Sequence, residues 1–134
     1  GRRNKTSVFA AIDLVPSLVE LAGATKPEGV TYDGEALLDT LLGKSDKSRQ
    51  APIYFSRPPD RKSFYEFKEL PDLAVREGRW KLLCDYDGGR PELYDLSNDV
   101  SEERNVAKDH PKITERLTAM AVKWWQSMPV AESK

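Results

Sequence analysis

LAVREGRWKLLCDYDGGRPELYDL, residues 73–96, decides the fold. It reads as strand, tight turn, long strand, second tight turn, strand. Gly78 and Arg79 separate Leu73-Ala74-Val75-Arg76 from Trp80-Lys81-Leu82-Leu83-Cys84-Asp85-Tyr86, and Asp87-Gly88-Gly89 separates that run from Glu92-Leu93-Tyr94-Asp95-Leu96. Glycine beside a polar residue supplies the positive φ angles of a short hairpin turn. In the middle strand Trp80, Leu82, Cys84 and Tyr86 fall on one face and Lys81 and Asp85 on the other. One face is built to be buried, so another part of the chain must cover it.

Downstream, Ile113, Leu117, Met120, Ala121 and Trp124 recur at the spacing of one helix face, with Asp109 offered as N-cap, Pro111 in the first turn and Pro129 as the stop. That helix is the expected cover. Upstream, Ile53-Tyr54-Phe55 follows Pro52 and precedes Pro58-Pro59, which reads as a strand at a sheet edge. Residues 57–70 have no period and read as an exposed loop. Nearer the start, Asp13 as cap, Pro16 in the first turn and Gly23 as the left-handed stop mark a helix over 13–23, with Leu14, Val15, Leu18, Leu21 and Ala22 on a face expected to lie on a core. A shorter helix is expected over 35–42, striped by Leu37, Leu38, Leu41 and Leu42. The fold class is α+β: an antiparallel sheet of about four strands under a long C-terminal helix, preceded by a helical connecting segment.

The 134 residues, 39% of them hydrophobic, suit one compact domain. With 21 basic and 22 acidic residues, the net charge of −1 gives no case for nucleic acid or an anionic membrane, and no apolar run approaches the ~20 residues that span a bilayer. One cysteine excludes an internal disulfide, and one histidine excludes a zinc site built from several Cys or His ligands. The methionines are Met120 and Met128, and the chain opens on Gly1, so a processed chain or a piece of a longer one is expected.

Chemistry needs a nucleophile beside a base, or clustered carboxylates. Cys84 lies mid-strand on the apolar face and reads as a buried structural thiol; His110, at a helix start, reads as a solvated imidazole. Asp85, Asp87, Asp95 and Asp99 fall around turns, where aspartate bonds its own backbone, and no EF-hand spacing accompanies them. Trp80, Trp124 and Tyr94 read as core, and Trp125, one step off the helix stripe, as partly exposed. Arg57, Arg61 and Lys62 in the irregular loop are the remaining candidates, for an anionic ligand such as a sulfate or carboxylate.

The order of short motifs carries more than any one of them. Asp13-Leu14-Val15-Pro16-Ser17-Leu18, ending in Leu21-Ala22-Gly23, is followed by Asp33-Gly34, Leu37-Leu38 and Leu42-Gly43. Then come Ala74-Val75-Arg76-Glu77-Gly78-Arg79-Trp80-Lys81-Leu82, Glu92-Leu93-Tyr94-Asp95-Leu96, Glu102-Glu103-Arg104-Asn105-Val106-Ala107 and His110-Pro111. In this order and spacing, over nearly all of residues 7–126, they closely resemble the C-terminal portion of the sulfatases, with Ser17 where the family usually has threonine.

The resemblance implies an enzyme related to alkaline phosphatases, with a large N-terminal α/β domain and a small C-terminal subdomain of four antiparallel strands under a terminal helix. Family enzymes hydrolyse sulfate esters with a formylglycine made from Cys or Ser in a C/S-x-P-x-R motif, assisted by a calcium ion held by carboxylates. Here Ser56-Arg57-Pro58-Pro59-Asp60 has Asp60 where the motif needs arginine, and Cys84 is followed by Asp85 and Tyr86. No catalytic or metal residue is therefore carried onto this chain. The expectation is that residues 1–50 form a helical connecting segment from the catalytic domain and 51–134 the C-terminal subdomain. This piece is expected to be inert alone, to pack on the catalytic domain of the same enzyme and to offer Arg57, Arg61 and Lys62 to the rim around a sulfated substrate. The family suggests a periplasmic or secreted enzyme, and an apolar surface deprived of its neighbour is expected to favour dimerisation. The alternative is a stand-alone binding or assembly module.

Overall fold

The computed structural model describes residues 3–57 and 70–129. The chain divides into two compact units, Gly1–Pro52 and Ile53–Lys134. The second holds four antiparallel strands in sequential order: β1 (Ile53–Ser56), β2 (Leu73–Glu77), β3 (Trp80–Cys84) and β4 (Glu92–Asp95). As expected from its flanking prolines, β1 lies at an edge. Register places Val75 opposite both Tyr54 and Leu82, Leu82 opposite Leu93, and Leu73 opposite Cys84. All of these share one face, because alternate residues of a strand point the same way.

The long helix, α3 of the chain (Pro111–Gln126), covers that face. Leu117 and Ala121 are fully buried with Leu73, Val75, Leu82, Cys84 and Leu93, while Tyr54, Trp80, Tyr86, Ile113, Met120, Trp124 and Trp125 pack around them. Tyr54 stacks on Trp124 at 5.1 Å, and the Tyr86 ring lies tilted against Trp125 at 4.6 Å. The Glu77 carboxylate receives the Arg116 guanidinium, tying β2 to the helix beside this core. At the outer edge of β4, Asn105 Oδ1 accepts the Leu93 amide at 3.1 Å and the Val106 amide reaches the Leu93 carbonyl at 2.8 Å. The outward backbone groups of Leu93 on this edge strand are thereby satisfied within the chain.

Several local expectations are corrected here. Asp109 does not cap α3: its carboxylate receives Arg104, and the amides of Ile113 and Thr114 go to the His110 carbonyl. His110 is half-buried against Trp80, with ring centroids 4.9 Å apart, rather than solvated. Strand β3 ends at Cys84, two residues early, because Pro91 cannot donate to the ladder and the chain closes a longer turn in which Asp85 N–H reaches the Gly89 carbonyl at 3.0 Å. The first hairpin is as read, with two residues between β2 and β3 and Gly78 at φ 55°.

The first unit holds a 3-10 turn (Ala11–Asp13) running into α1 (Leu14–Leu21), and the single helical turn α2 (Leu38–Leu41). Asp13 and Ser17 are completely buried, Arg49 nearly so. Asp13 does not cap α1; its Oδ2 accepts the Ala10 amide at 2.8 Å, and its Oδ1 accepts the Glu35 amide at 2.9 Å and Arg49 Nη1 at 2.7 Å. Ser17 Oγ donates to the Asp13 carbonyl at 2.6 Å and accepts the Leu37 amide at 2.9 Å. The helix expected over 35–42 is only one turn, and Leu37, just before it, has non-helical backbone angles. Ahead of that turn the chain is tied down, the Glu35 amide to Asp13, the Leu37 amide to Ser17 and the Glu35 carboxylate to the amides of Gln50 and Ala51.

Gly34 is required where it stands, since a Cβ there would lie 1.9 Å from the Ile12 carbonyl oxygen. The apolar face of α1 is not on a core: Leu14, Val15, Leu18 and Leu21 are 39, 54, 49 and 54% exposed. Pro16 and Ser17, on the other side, are the buried residues of this helix. No helix among the described residues is long and apolar enough to cross a membrane.

Removing one partner of a buried ion pair leaves the other charge without compensation, at a cost of about 3–5 kcal/mol. Asp13→Ala is expected to lower the stability of the first unit by that amount in urea denaturation followed by backbone circular dichroism, whereas Glu28→Ala, in an exposed turn, is expected to stay within about 0.5 kcal/mol.

Candidate functional site

The end of β1, the start of β2 and the turn between β3 and β4 enclose an open cleft of about 340 Å³. Its polar lining is Arg57, Asp72, Asp85, Tyr86, Asp87 and Arg90, with Leu70 at one side. Antiparallel pairing brings the first two together: the Arg57 amide donates to the Asp72 carbonyl at 2.8 Å, continuing the β1–β2 ladder by one step. The guanidinium Nη2 then donates to Asp72 Oδ1 at 3.0 Å and to the Leu70 carbonyl at 2.9 Å. Arg57 is therefore a fixed, half-buried cation rather than a solvated one. Its carbonyl accepts the Tyr86 hydroxyl at 2.7 Å, and burial, reinforced by Asp72, raises the Tyr86 phenol above its ordinary range.

On the opposite side the β3–β4 turn is held by its own side chains. Arg90, in the left-handed region at φ 47°, forks onto Asp85, with Nε to Oδ2 and Nη2 to Oδ1 both at 2.8 Å. Left-handed backbone is costly for a residue bearing a Cβ, by about 1–2 kcal/mol, and a two-pronged charged contact of this kind compensates. Asp87 Oδ1 accepts the Gly89 amide at 2.7 Å. The second oxygens of Asp72 and Asp87 accept no hydrogen bond among the described residues. Of the three cations expected from sequence, only Arg57 is placed at the cleft; Arg61 and Lys62 lie outside the described residues.

Asp72, Asp85, Tyr86 and Arg90 were not singled out by sequence as parts of one place. A usable signal existed for the last pair: opposite charges bracket Asp87-Gly88-Gly89, and Pro91 excludes Arg90 from a continuing ladder. Nothing local links Arg57 to Asp72 across 15 residues.

The other chemistry-bearing groups are structural. Asp95 accepts Ser97 N–H and Asn98 Nδ2, and the amides of Arg104 and Glu103 on Asp99 hold that carboxyl below the usual carboxylate range. Among the described residues no three His, Cys, Asp or Glu side chains are grouped to hold a metal ion. Nor does Cys84 fit a reactive precursor, being fully buried beneath α3. A second, apolar groove of about 810 Å³ runs along the flank of α3, between Ala119 and Val122 on one side and Gly88, Pro91 and Ala107 on the other.

Burial, followed by Asp85, Asp87 and Asp72, pushes the Cys84 thiol from 9.0 up to about 11. A thiol that ionises more readily unfolded than folded contributes stability that is present below pH 9 and lost as pH rises toward 11. Between those pH values the chain is expected to lose more stability than a Cys84→Ala variant does, by on the order of 2 kcal/mol, in paired denaturant titrations. Equal pH slopes would count against a buried neutral thiol.

Comparison with known proteins places the whole chain in context. The sequence model of the N-sulphoglucosamine sulphohydrolase C-terminal family matches residues 1–127. An N-acetylgalactosamine-6-O-sulfatase of Bacteroides thetaiotaomicron is 31% identical over 129 residues, covering 85% of this chain and 23% of the relative. Mouse arylsulfatase K is 34% identical over 115 residues, covering 83% and 20%. A crystal structure of Ps i-CgsB in complex with k-i-k-neocarrahexaose superposes with a TM-score of 0.70 at 25% identity, covering 91% of this chain and 25% of that one. The chain thus spans between a fifth and a quarter of the length of these relatives.

Proposed function

The chain belongs to the sulfatase C-terminal family, and on that premise we propose that it is the C-terminal part of an enzyme hydrolysing sulfate esters of saccharides. The observation that carries this reading is the match over residues 1–127. The relatives named for sugar sulfates, and the neighbour solved with an oligosaccharide, support the choice of substrate class. In this reading the formylglycine and calcium belong to the catalytic domain, and residues 1–50 connect that domain to the 51–134 subdomain.

The division of labour follows from what the chain buries and what it leaves open. The sheet face under α3 is already filled, so the C-terminal subdomain holds its own core. The α1 ridge of Leu14, Val15, Leu18 and Leu21 has no cover within its unit. Its proposed occupant is the catalytic domain of the same polypeptide, consistent with a chain that spans a quarter of its relatives. Arg57, with Arg61 and Lys62 beyond the described residues, is the proposed contribution to the substrate rim. Among these, the fixed guanidinium of Arg57 beside an open cleft is what favours a contact role over a merely solvated loop.

Two measurements test this. The full-length protein is expected to release sulfate from 4-nitrophenyl sulfate or from a sulfated oligosaccharide, and absence of turnover on both sinks the enzymatic reading. Leu18→Asp is expected to cost the 134-residue chain less than about 1 kcal/mol, because the side chain is half exposed there, and the full-length enzyme more than about 2 kcal/mol, where the charge would enter an apolar contact. Equal losses in the two would mean that the α1 face stays open in the parent.

A further inference from the structure

The tripeptide Tyr-Asp-Gly occurs twice, at 32–34 in the first unit and at 86–88 in the β3–β4 turn. An aspartate before glycine can rearrange without an enzyme, because no side chain on the next residue hinders attack by its backbone nitrogen on the aspartate carboxyl. The attack needs a nitrogen and a carboxyl that are free to meet. With the same three residues at both places, the fold decides which pair reacts.

At Asp87 the turn holds both groups. Its Oδ1 accepts the Gly89 amide at 2.7 Å, and the Gly88 amide donates to the Asp85 carbonyl at 2.9 Å. Asp33 is exposed in the irregular stretch between α1 and α2, and among the described residues neither its carboxylate nor the Gly34 amide makes a hydrogen bond. Both glycines pack against a neighbour, Gly34 on Ile12 and Gly88 on Thr118, and only the pair at 87–88 is also held by hydrogen bonds.

We infer that Asp33–Gly34 is a site of spontaneous isomerisation to isoaspartate, and that the product breaks open the buried cluster of Asp13 and Arg49. The Gly34 nitrogen bonds to Asp33 Cγ, and the carboxyl hydroxyl leaves as water with the amide hydrogen, giving a cyclic imide. Water then opens the ring. Addition at Cγ restores aspartate, whereas addition at the main-chain carbonyl carbon breaks its bond to nitrogen and routes the chain through Cγ. The main chain is then longer by one carbon, and the former carbonyl oxygen of Asp33 belongs to a free carboxylate.

Both changes fall on the cluster. That oxygen is the one Arg49 Nη2 approaches at 3.4 Å, so Arg49 gains a second carboxylate in competition with Asp13, its partner at 2.7 Å. The added carbon enters beside Gly34, where even a Cβ would lie 1.9 Å from the Ile12 oxygen. A close-packed site with no room to lengthen must give way. The chain lifts from α1 and withdraws the Glu35 amide from Asp13 and the Leu37 amide from Ser17. This modification goes beyond the proposed function and does not depend on it.

The test ages the 134-residue chain at neutral pH, in native buffer and in urea. Isoaspartate is located by peptide mapping and counted by methyl transfer from labelled S-adenosylmethionine with an isoaspartyl methyltransferase. In native buffer Asp33 is expected to convert at least about tenfold faster than Asp87, where two hydrogen bonds must open first. In urea the two rates are expected to agree within about twofold, because the fold no longer separates them. Amide exchange at Glu35 and Leu37 is expected to quicken about tenfold in the aged chain, with β2 and β3 unchanged. Aged Asp33→Glu, whose longer side chain closes the ring far more slowly, is expected to keep the exchange of the fresh protein. Equal rates at the two sites in native buffer, or no isoaspartate at Asp33, overturn the site. A preference for Asp33 that persists in urea overturns its origin in the fold. Isoaspartate at Asp33 with unchanged exchange at Glu35 and Leu37 overturns the link to the cluster.

Discussion

The fold of residues 53–57 and 70–129 depends on one dry contact, that of Leu117 and Ala121 against Val75, Leu82 and Leu93. A small sheet presents one face that must be covered, and a single helix of 16 residues suffices here because its stripe is matched in width to three strands. The aromatic pairs Tyr54–Trp124 and Tyr86–Trp125 extend the seal at the C-terminal end of the helix, and Trp80 against His110 closes its start. Loops are then free to specialise: Asn105 closes the β4 edge, and the β3–β4 turn builds a wall of the cleft.

This half of the chain was legible in the sequence because its determinants are periodic. Alternation in Trp80-Lys81-Leu82-Leu83-Cys84 and the helical recurrence of Ile113, Leu117, Ala121 and Trp124 each name a buried face without knowledge of the partner. The first unit was less legible because its interior is polar. Asp13, Ser17, Glu35 and Arg49 meet across separations of 20 to 36 residues, and such meetings leave no repeat to detect. The leucines of α1 did show a period, and they do form one face. What the period could not say is whether the face looks inward on its own unit or outward toward another body.

The candidate site divides in the same way. Arg57 was visible as a cation in an irregular stretch, but its partner Asp72 lies on the next strand and becomes adjacent only through antiparallel register. Register converts an arginine that reads as a mobile attractant into one arm of a fixed pair. It also changes the sign of the surroundings, since Asp72, Asp85 and Asp87 arrive with it. The diagnostic motifs of the family, by contrast, sit mostly on scaffold: Trp80 and Leu82 are in the core region and Asn105 seals an edge.

The contact between Tyr86 and Trp125 has an optical consequence. Tyr86 lines the cleft while its ring lies 4.6 Å from an indole on α3. The other two tryptophans have different neighbours, Trp80 beside His110 and Trp124 on Tyr54. A fluorophore is therefore built into the back of the cleft wall. Trp125 is the indole that packs on Tyr86, so the difference in emission between this chain and its Trp125→Phe variant isolates the signal of the residue behind Tyr86.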